Sequence, residues 1–303
     1  VTGEHAAEFL DKIFVNPIAT LKVGRERYTT MLNEQAEIID DVVVIRLEEQ
    51  KFWISTLFIT ALTAWLNQHK EDYHVCFKNI TEQYHMYAIQ GPNAKDMINA
   101  MTKENIDEQK FFSICDNKIG DMSVNRAGFT GEKWGYEIYV AAEKAQDLEE
   151  MLRKVGSAFD AVEVTEFQIM AWALPTEAGF YYMRDLMHTN PLEVGLDKGI
   201  DWDKVFIGRE ALLEIKKTGA KREMFGITVD EADVFISAKS LGGPGSPVFY
   251  QGEEIGRVSK FTYSYMLEKN IGYVLVEKGK VNPGDVVKIK DYDAVITEKT
   301  FLK

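Results

Sequence analysis

Beyond Lys216 the sequence changes texture, and this change restricts the fold more than any other feature. Turn signals at Gly242-Gly243-Pro244-Gly245, Gln251-Gly252 and Asn282-Pro283-Gly284-Asp285 punctuate short β-rich runs at close intervals. Such a rhythm predicts a separate small β-barrel or sandwich. The boundary is expected in Lys216 to Arg222, a polar, basic stretch containing Gly219. Upstream the patterns are mixed. Phe9, Leu10, Ile13 and Phe14 fall on one helical stripe that Asn16-Pro17 stops. Val42 to Leu47 and Phe52 to Thr56, joined through Glu48-Glu49-Gln50, read as a hairpin. Tyr84 to Ile89 reads as a strand that turns at Gly91 into a helix, with Pro92 as its first residue and Met97, Ile98 and Met101 inward. Ile119 to Arg126 and Tyr136 to Val140 make a further strand pair, and a helix over Ala142 to Val155 follows with Leu148, Met151, Leu152 and Val155 in helical register. The expected class is α+β.

Composition bounds the partners. Against 35 Lys plus Arg stand 48 Asp plus Glu, a formal charge of −13 over 303 residues. This weighs against sequence-independent attraction to nucleic acid or anionic membrane. At 46% hydrophobic residues the chain fills an ordinary core, so disorder is not its main description. The most apolar stretch, Phe52 to Leu66, is broken by Ser55, Thr56, Thr60 and Thr63 and falls short of the roughly 20 residues a membrane helix needs. Cys76 and Cys115 lie far apart, which leaves no disulfide framework or multi-Cys metal site and points to a reducing cytosol. The five His residues are scattered, so no His-based metal site is expected. Phosphate-cradling loops, G-x-G-x-x-G, G-x-S-x-G and H-E-x-x-H are all absent from the sequence.

Four local patterns remain. Asp40-Asp41 places two carboxylates at the start of a strand that otherwise reads as buried. Both can be accepting turn hydrogen bonds there. Equally, strand alternation sends the two to opposite faces, so one can point into a cleft and orient or share a proton with an amine. Arg126 to Ile138 holds three glycines, Gly128, Gly131 and Gly135, in a loop before Glu137 re-enters a strand. As pattern alone, that is a solvated hairpin with an outward Glu. Gln90-Gly91-Pro92-Asn93-Ala94 is a strand-to-helix turn. Pro191-Leu192-Glu193-Val194-Gly195-Leu196, running to Phe206-Ile207-Gly208-Arg209, says little by itself.

In chain order these patterns join Tyr28-Thr29, Met31-Leu32-Asn33-Glu34, Thr130-Gly131-Glu132, Gly135-Tyr136-Glu137, Glu177-Ala178-Gly179 and Gly245-Ser246-Pro247-Val248 with Ile255-Gly256. Across essentially its whole length the chain thereby resembles the folate-dependent aminomethyltransferase family: the glycine-cleavage T-protein, the folate domains of sarcosine and dimethylglycine dehydrogenases, and tetrahydrofolate-dependent demethylases. The resemblance implies a three-lobed α+β fold with a split first domain, a ferredoxin-like second domain and a C-terminal β-barrel. It places a two-lobed folate-binding region in residues 1–215 and the barrel domain in 222–303, and implies further residues before the point equivalent to Val1.

Tetrahydrofolate is the implied cofactor. The second Asp of the pair, Asp41, maps to the family's key carboxylate beside the reactive folate nitrogens. Glu137 maps to the group that grips the pterin, whose guanidine-like edge offers the paired donors a carboxylate accepts. Phe129 stands at the aromatic position before Thr-Gly-Glu, normally Tyr, and Tyr28 supplies a hydroxyl nearby. There are departures. Ala171 and Pro175 occupy positions where the T-protein carries Arg, Ala36-Glu37 replaces Gly-Gly before the Asp pair, and Lys133-Trp134 includes an extra residue. These changes resemble the demethylase side of the family and argue against an aminomethyl-lipoyl donor. The resemblance thus implies a cytoplasmic transferase moving a methyl or aminomethyl unit from a small donor to tetrahydrofolate, demethylase-like, with no metal, nucleic-acid or membrane partner. The alternative is a non-catalytic folate-binding or maintenance protein of the same superfamily. Donor identity, a lipoyl or corrinoid protein partner, and oligomeric state are not legible in the sequence.

Overall fold

The computed structural model describes residues 1–165, 167–240 and 242–302. The chain divides into two compact units: Val1–Thr29, Asp41–Thr165 and Asp203–Phe206 form one, and Thr30–Asp40, Glu166–Trp202 and Ile207–Lys303 the other.

In the first unit, helix α1 (Ala6–Ile13) buries Phe9, Leu10 and Ile13, the stripe set by its apolar spacing. It ends where Phe14 turns extended, and the Asp11 carboxylate accepts the backbone N–H groups of Ile18 and Ala19 at 2.6 and 3.0 Å beyond the Asn16-Pro17 turn. Strands β1 (Glu26–Leu32), β2 (Ile38–Glu48) and β3 (Lys51–Ser55) form a sheet in that order, residues 30–32 and 38–40 of it belonging to the second unit. The β2–β3 hairpin is the expected one. Its buried Arg46 is satisfied by the carbonyls of Ala19, Leu21 and Glu49, which offsets the cost of taking a guanidinium out of water.

Helix α2 (Ile59–Gln68) leads to β4 (Tyr84–Gln90), α3 (Ala94–Met101), β5 (Ser113–Ile119), β6 (Met122–Arg126), β7 (Gly135–Ala141) and α4 (Ala145–Gly156). The four strands make one antiparallel sheet, ordered β4-β7-β6-β5. Ala94 and Ile98 of α3 and Leu148 of α4 pack with Val124, Tyr136, Ile138 and Val140 in its core. Two expectations are corrected here. Pro92 lies in a turn before α3 and is not its first residue, because the Ala94 N–H closes back onto the Gly91 carbonyl at 3.1 Å. Ile119 to Arg126 is not one strand: Gly120, with φ of +61°, turns the chain so that Ile119 pairs with Met122.

The α-helices of the second unit among the described residues are α5 (Leu174–Glu177), α6 (Met183–Leu186), α7 (Pro191–Val194) and α8 (Arg209–Thr218). Strands β8 (Arg222–Val229), β9 (Pro247–Tyr250), β10 (Glu253–Ser264), β11 (Lys269–Glu277), β12 (Val286–Ile289) and β13 (Tyr292–Thr297) close into a barrel, β10-β11-β8-β13-β12-β9. Ile227, Val248, Val258, Val274, Val287, Ala294 and Ile296 fill it. The turn-punctuated texture therefore encodes a barrel rather than a sandwich.

Motifs with no obvious chemistry hold this unit together. Asn190 caps α7 through Leu192 and Glu193 N–H, and Glu193 forms a two-point pair with Arg222, both bonds 2.8 Å. Gly208 has φ of +83°, and a Cβ there would lie 2.4 Å from the Asn33 carbonyl, so two motifs far apart in sequence need each other. Glu177 is buried and accepts the Ser264 hydroxyl at 2.6 Å. Among the described residues no helix is long and apolar enough to cross a membrane.

Candidate functional site

The site is built on β1, β2, β6 and β7, all within the first unit at the positions concerned. Glu26 and Tyr28 are two residues apart on β1 and therefore project to one side of it. The Tyr28 hydroxyl donates to Asp41 Oδ2 on β2 at 2.9 Å. Burial alternates along β2, with Asp40 only 1% exposed and Asp41 half-buried. The two aspartates thus take opposite faces, and Asp41 is the one reachable from solvent.

Glu137 on β7 is the register partner of Ala88 on β4 and Asn125 on β6, which brings the three side chains to one sheet face. Asn125 Nδ2 donates to Glu137 Oε2 at 3.1 Å, and the Tyr139 hydroxyl donates to the same oxygen at 3.2 Å. Burial raises the Glu137 pKa, while these two hydrogen bonds oppose the rise. Glu26 is brought alongside by a bridge between Arg25 and Ser113 of β5 and by its own N–H, which donates to the Phe112 carbonyl at 3.1 Å. Trp53 of β3 packs 4.9 Å from the Tyr84 ring and 5.6 Å from the Tyr139 ring, so an aromatic wall flanks Glu137.

The glycines around Phe129 have a packing cause. The Gln90 side chain accepts the Thr130 hydroxyl at 3.0 Å and donates to the Ala127 carbonyl at 3.2 Å, clamping the β6–β7 loop. A Cβ on Gly128 or Gly135 would lie 2.0 or 2.4 Å from Gln90 Oε1, and at Gly135 also 2.8 Å from the Ala127 carbonyl. Gln90-Gly91-Pro92 and the Gly-rich loop are therefore one device. Gly135→Ala is expected to destabilise the protein by about 1–3 kcal/mol, because a backbone oxygen cannot rotate away. An unchanged urea midpoint would contradict this account.

Of the sequence-derived candidates, Tyr28 and Asp41 meet directly. Glu137 connects to them through Asn125 and the Glu26 position on β1. Phe129 stands half-buried on the clamped loop, and among the described residues its ring stacks on no other ring. Glu26, Asn125 and Tyr139 escaped the sequence reading. The available signal was Glu26 at strand alternation from Tyr28. Elsewhere, a depression between Gly3-Glu4 and Lys70 to Cys76 contains none of these residues. Among the described residues no group of three or more His, Cys, Asp or Glu side chains is placed to hold a metal ion.

Residues 1–204 match the GCVT N-terminal domain, and residues 222–303 match the glycine cleavage T-protein C-terminal barrel domain. The chain belongs to the aminomethyltransferase (glycine cleavage T-protein) family. Curated aminomethyltransferases from Halothermothrix orenii and Bacillus pumilus are 30% and 29% identical to it, matching 98% and 96% of this chain and 82% and 79% of their own lengths. The crystal structure of the glycine cleavage system aminomethyltransferase T from Bartonella henselae shares its fold, with a TM-score of 0.85 at 24% identity over 99% of this chain and 82% of that one. The T-protein fold expected from the motifs is thus present, C-terminal barrel included. The family is one of tetrahydrofolate-dependent transferases, as the resemblance implied.

Proposed function

We propose that this T-protein relative transfers a one-carbon unit from a small donor to tetrahydrofolate. Asp41 is the reaction-centre carboxylate, and Glu137, Phe129 and Tyr28 hold the folate. The observation that carries this reading is the 2.9 Å Tyr28–Asp41 hydrogen bond, with Glu26 of the same strand β1 lying beside the Glu137 cluster. The residues present fit the pterin: Glu137 is a half-buried carboxyl group, and oxygens of Glu26 and Asn125 that have no hydrogen-bond partner among the described residues lie beside it. When bound, tetrahydrofolate supplies the nucleophilic ring nitrogen that takes the carbon. Tyr28 fixes Asp41 by donating to Oδ2, so the carboxyl group keeps its orientation. Asp41 then receives or steadies the proton displaced from that nitrogen. Trp53, Tyr84 and Tyr139 exclude water on the Glu137 side. Positioning contributes most, on the order of 7–11 kcal/mol where both reactants are held in line.

For the donor we propose a small methylated compound, a demethylase-like role. Ala171 and Pro175 support it, since they provide no charge where a T-protein would carry Arg. The aminomethyltransferase names of the relatives favour the aminomethyl donor instead. Product analysis separates the two: 5-methyltetrahydrofolate from methylated amines, sulfonium compounds or methoxyaromatics supports demethylation, and methylenetetrahydrofolate from an aminomethyl-lipoyl donor supports the other. Calorimetry with tetrahydrofolate and 5-methyltetrahydrofolate tests the shared premise. Binding of neither at millimolar concentration would end it, whereas binding without turnover would favour a folate-holding protein. We further propose that residues 1–215 form the folate-binding region and 222–303 a barrel domain in the cytoplasm.

A further inference from the structure

Glu26 is 4% exposed, yet neither of its carboxylate oxygens has a hydrogen-bond partner of proper geometry among the described residues. The Asn125 amide lowers its pKa from nearby but gives its formed hydrogen bond to Glu137, and Asn125 Oδ1 is also buried and unpartnered. Three buried oxygens without a hydrogen-bond partner among the described residues thus gather beside Glu137. A buried carboxyl without partners destabilises a fold, so its presence in β1 calls for a role outside folding.

We propose that Glu26 is a second ligand-binding carboxylate of the Glu137 cluster. With Asn125 and Glu137 it forms an acceptor cradle for a heterocyclic edge carrying more N–H donors than one carboxylate satisfies. This rests on the folate reading and deepens it, because a reduced pterin is a ligand of that class.

A pH signature follows. The groups facing Glu26 are Asn125 of β6, Glu137 and Tyr139 of β7, and Arg25, which precedes it in the chain. Burial above all, with the Glu137 charge adding, pushes the Glu26 pKa up to about 8 against the opposing pull of Asn125 and Arg25. At pH 7 the free protein therefore holds a proton on Glu26. Ligand N–H donors favour the ionised form and lower that pKa, so binding releases a proton, and affinity rises with pH until it levels above about 8.

The test is calorimetry of the full chain with 5-methyltetrahydrofolate, from pH 6 to 8.5, in buffers of different ionisation enthalpy. Wild type should release a proton near pH 7 and gain affinity roughly tenfold between pH 6 and 8. Glu26→Gln should bind roughly tenfold more weakly, with flat pH dependence. Glu26→Val should also bind weakly but melt at a higher temperature, since an apolar β-branched residue suits a buried strand. Wild-type affinity and proton release in Glu26→Gln, or a lowered melting temperature in Glu26→Val, overturns the inference. If Glu137→Gln still weakens binding, the folate reading survives that outcome. If Glu137→Gln binds as wild type does, both fall.

Discussion

Asp41→Asn should lower turnover on the order of 10²–10⁴-fold while leaving folate affinity nearly intact. An amide keeps the shape of the carboxylate and can still accept the Tyr28 hydroxyl, whose bond to Oδ2 is 2.9 Å long. It loses the charge that favours proton movement at the reacting nitrogen. Tyr28→Phe should act in the same direction and more weakly, because the carboxylate survives but loses one restraint. Asp40→Asn provides the contrast. Asp40 is 1% exposed on the opposite face of β2, so its substitution should reduce stability and leave kcat of the folded fraction near wild type. Glu137→Gln should raise the folate dissociation constant, by the equivalent of roughly 1–3 kcal/mol, because it presents a donor to pterin donors. Steady-state rates and dissociation constants for these variants decide the assignment. A larger rate loss in Asp40→Asn than in Asp41→Asn would mean that the wrong aspartate has been assigned. A mild Asp41→Asn would instead indicate a methyl group delivered as an activated cation, with the carboxylate needed only for position.

The parts of this site that were legible in the sequence are those where a local pattern has one physical reading. Alternation along β2 separates Asp40 from Asp41, and the burial of that strand follows it. The three glycines before Glu137 announced a loop, but not that Gly128 and Gly135 are small because Gln90 occupies the space beside them. That cause lies some forty residues away and has no local signature. Glu26 was illegible for a related reason. A charged residue at the head of a strand ordinarily reads as solvent-facing, and only the bridge from Arg25 to Ser113 buries it against Asn125. The Ile119 to Arg126 run failed as a strand because Ile119 and Met122 flank a two-residue turn, Gly120-Asp121, whose Gly-Asp pair was the local cue.

The barrel carries the second large expected effect, at Lys260 and Asp185. Both are buried, at 0% and 1% side-chain exposure, and their charged atoms lie 3.5 Å apart. Asp185 also accepts the Tyr182 N–H at 2.9 Å and the Ser259 hydroxyl at 3.2 Å, while Lys260 sits 5.0 Å from the centre of the Trp172 ring. Asp185→Asn removes the only anion paired with Lys260 among the described residues and should cost about 3–5 kcal/mol, the range for a buried charge left uncompensated. Replacing both, as Lys260→Met with Asp185→Asn, should recover much of that loss, since a thioether chain fills the ammonium stem's volume without requiring a counter-charge. The pH dependence gives an independent check. Burial already lowers the Lys260 pKa from its ordinary 10.5, and Asp185 opposes that shift. Without Asp185 the shift deepens, the native state binds fewer protons than the unfolded chain, and stability rises with pH through the window below 10.5. Urea midpoints for Asp185→Asn should therefore climb more steeply from pH 7 to 9 than those of wild type. A parallel pair of curves, or a double variant no more stable than the single, would show that Lys260 is already neutral in the native protein and that its charge does not set the stability of the pair.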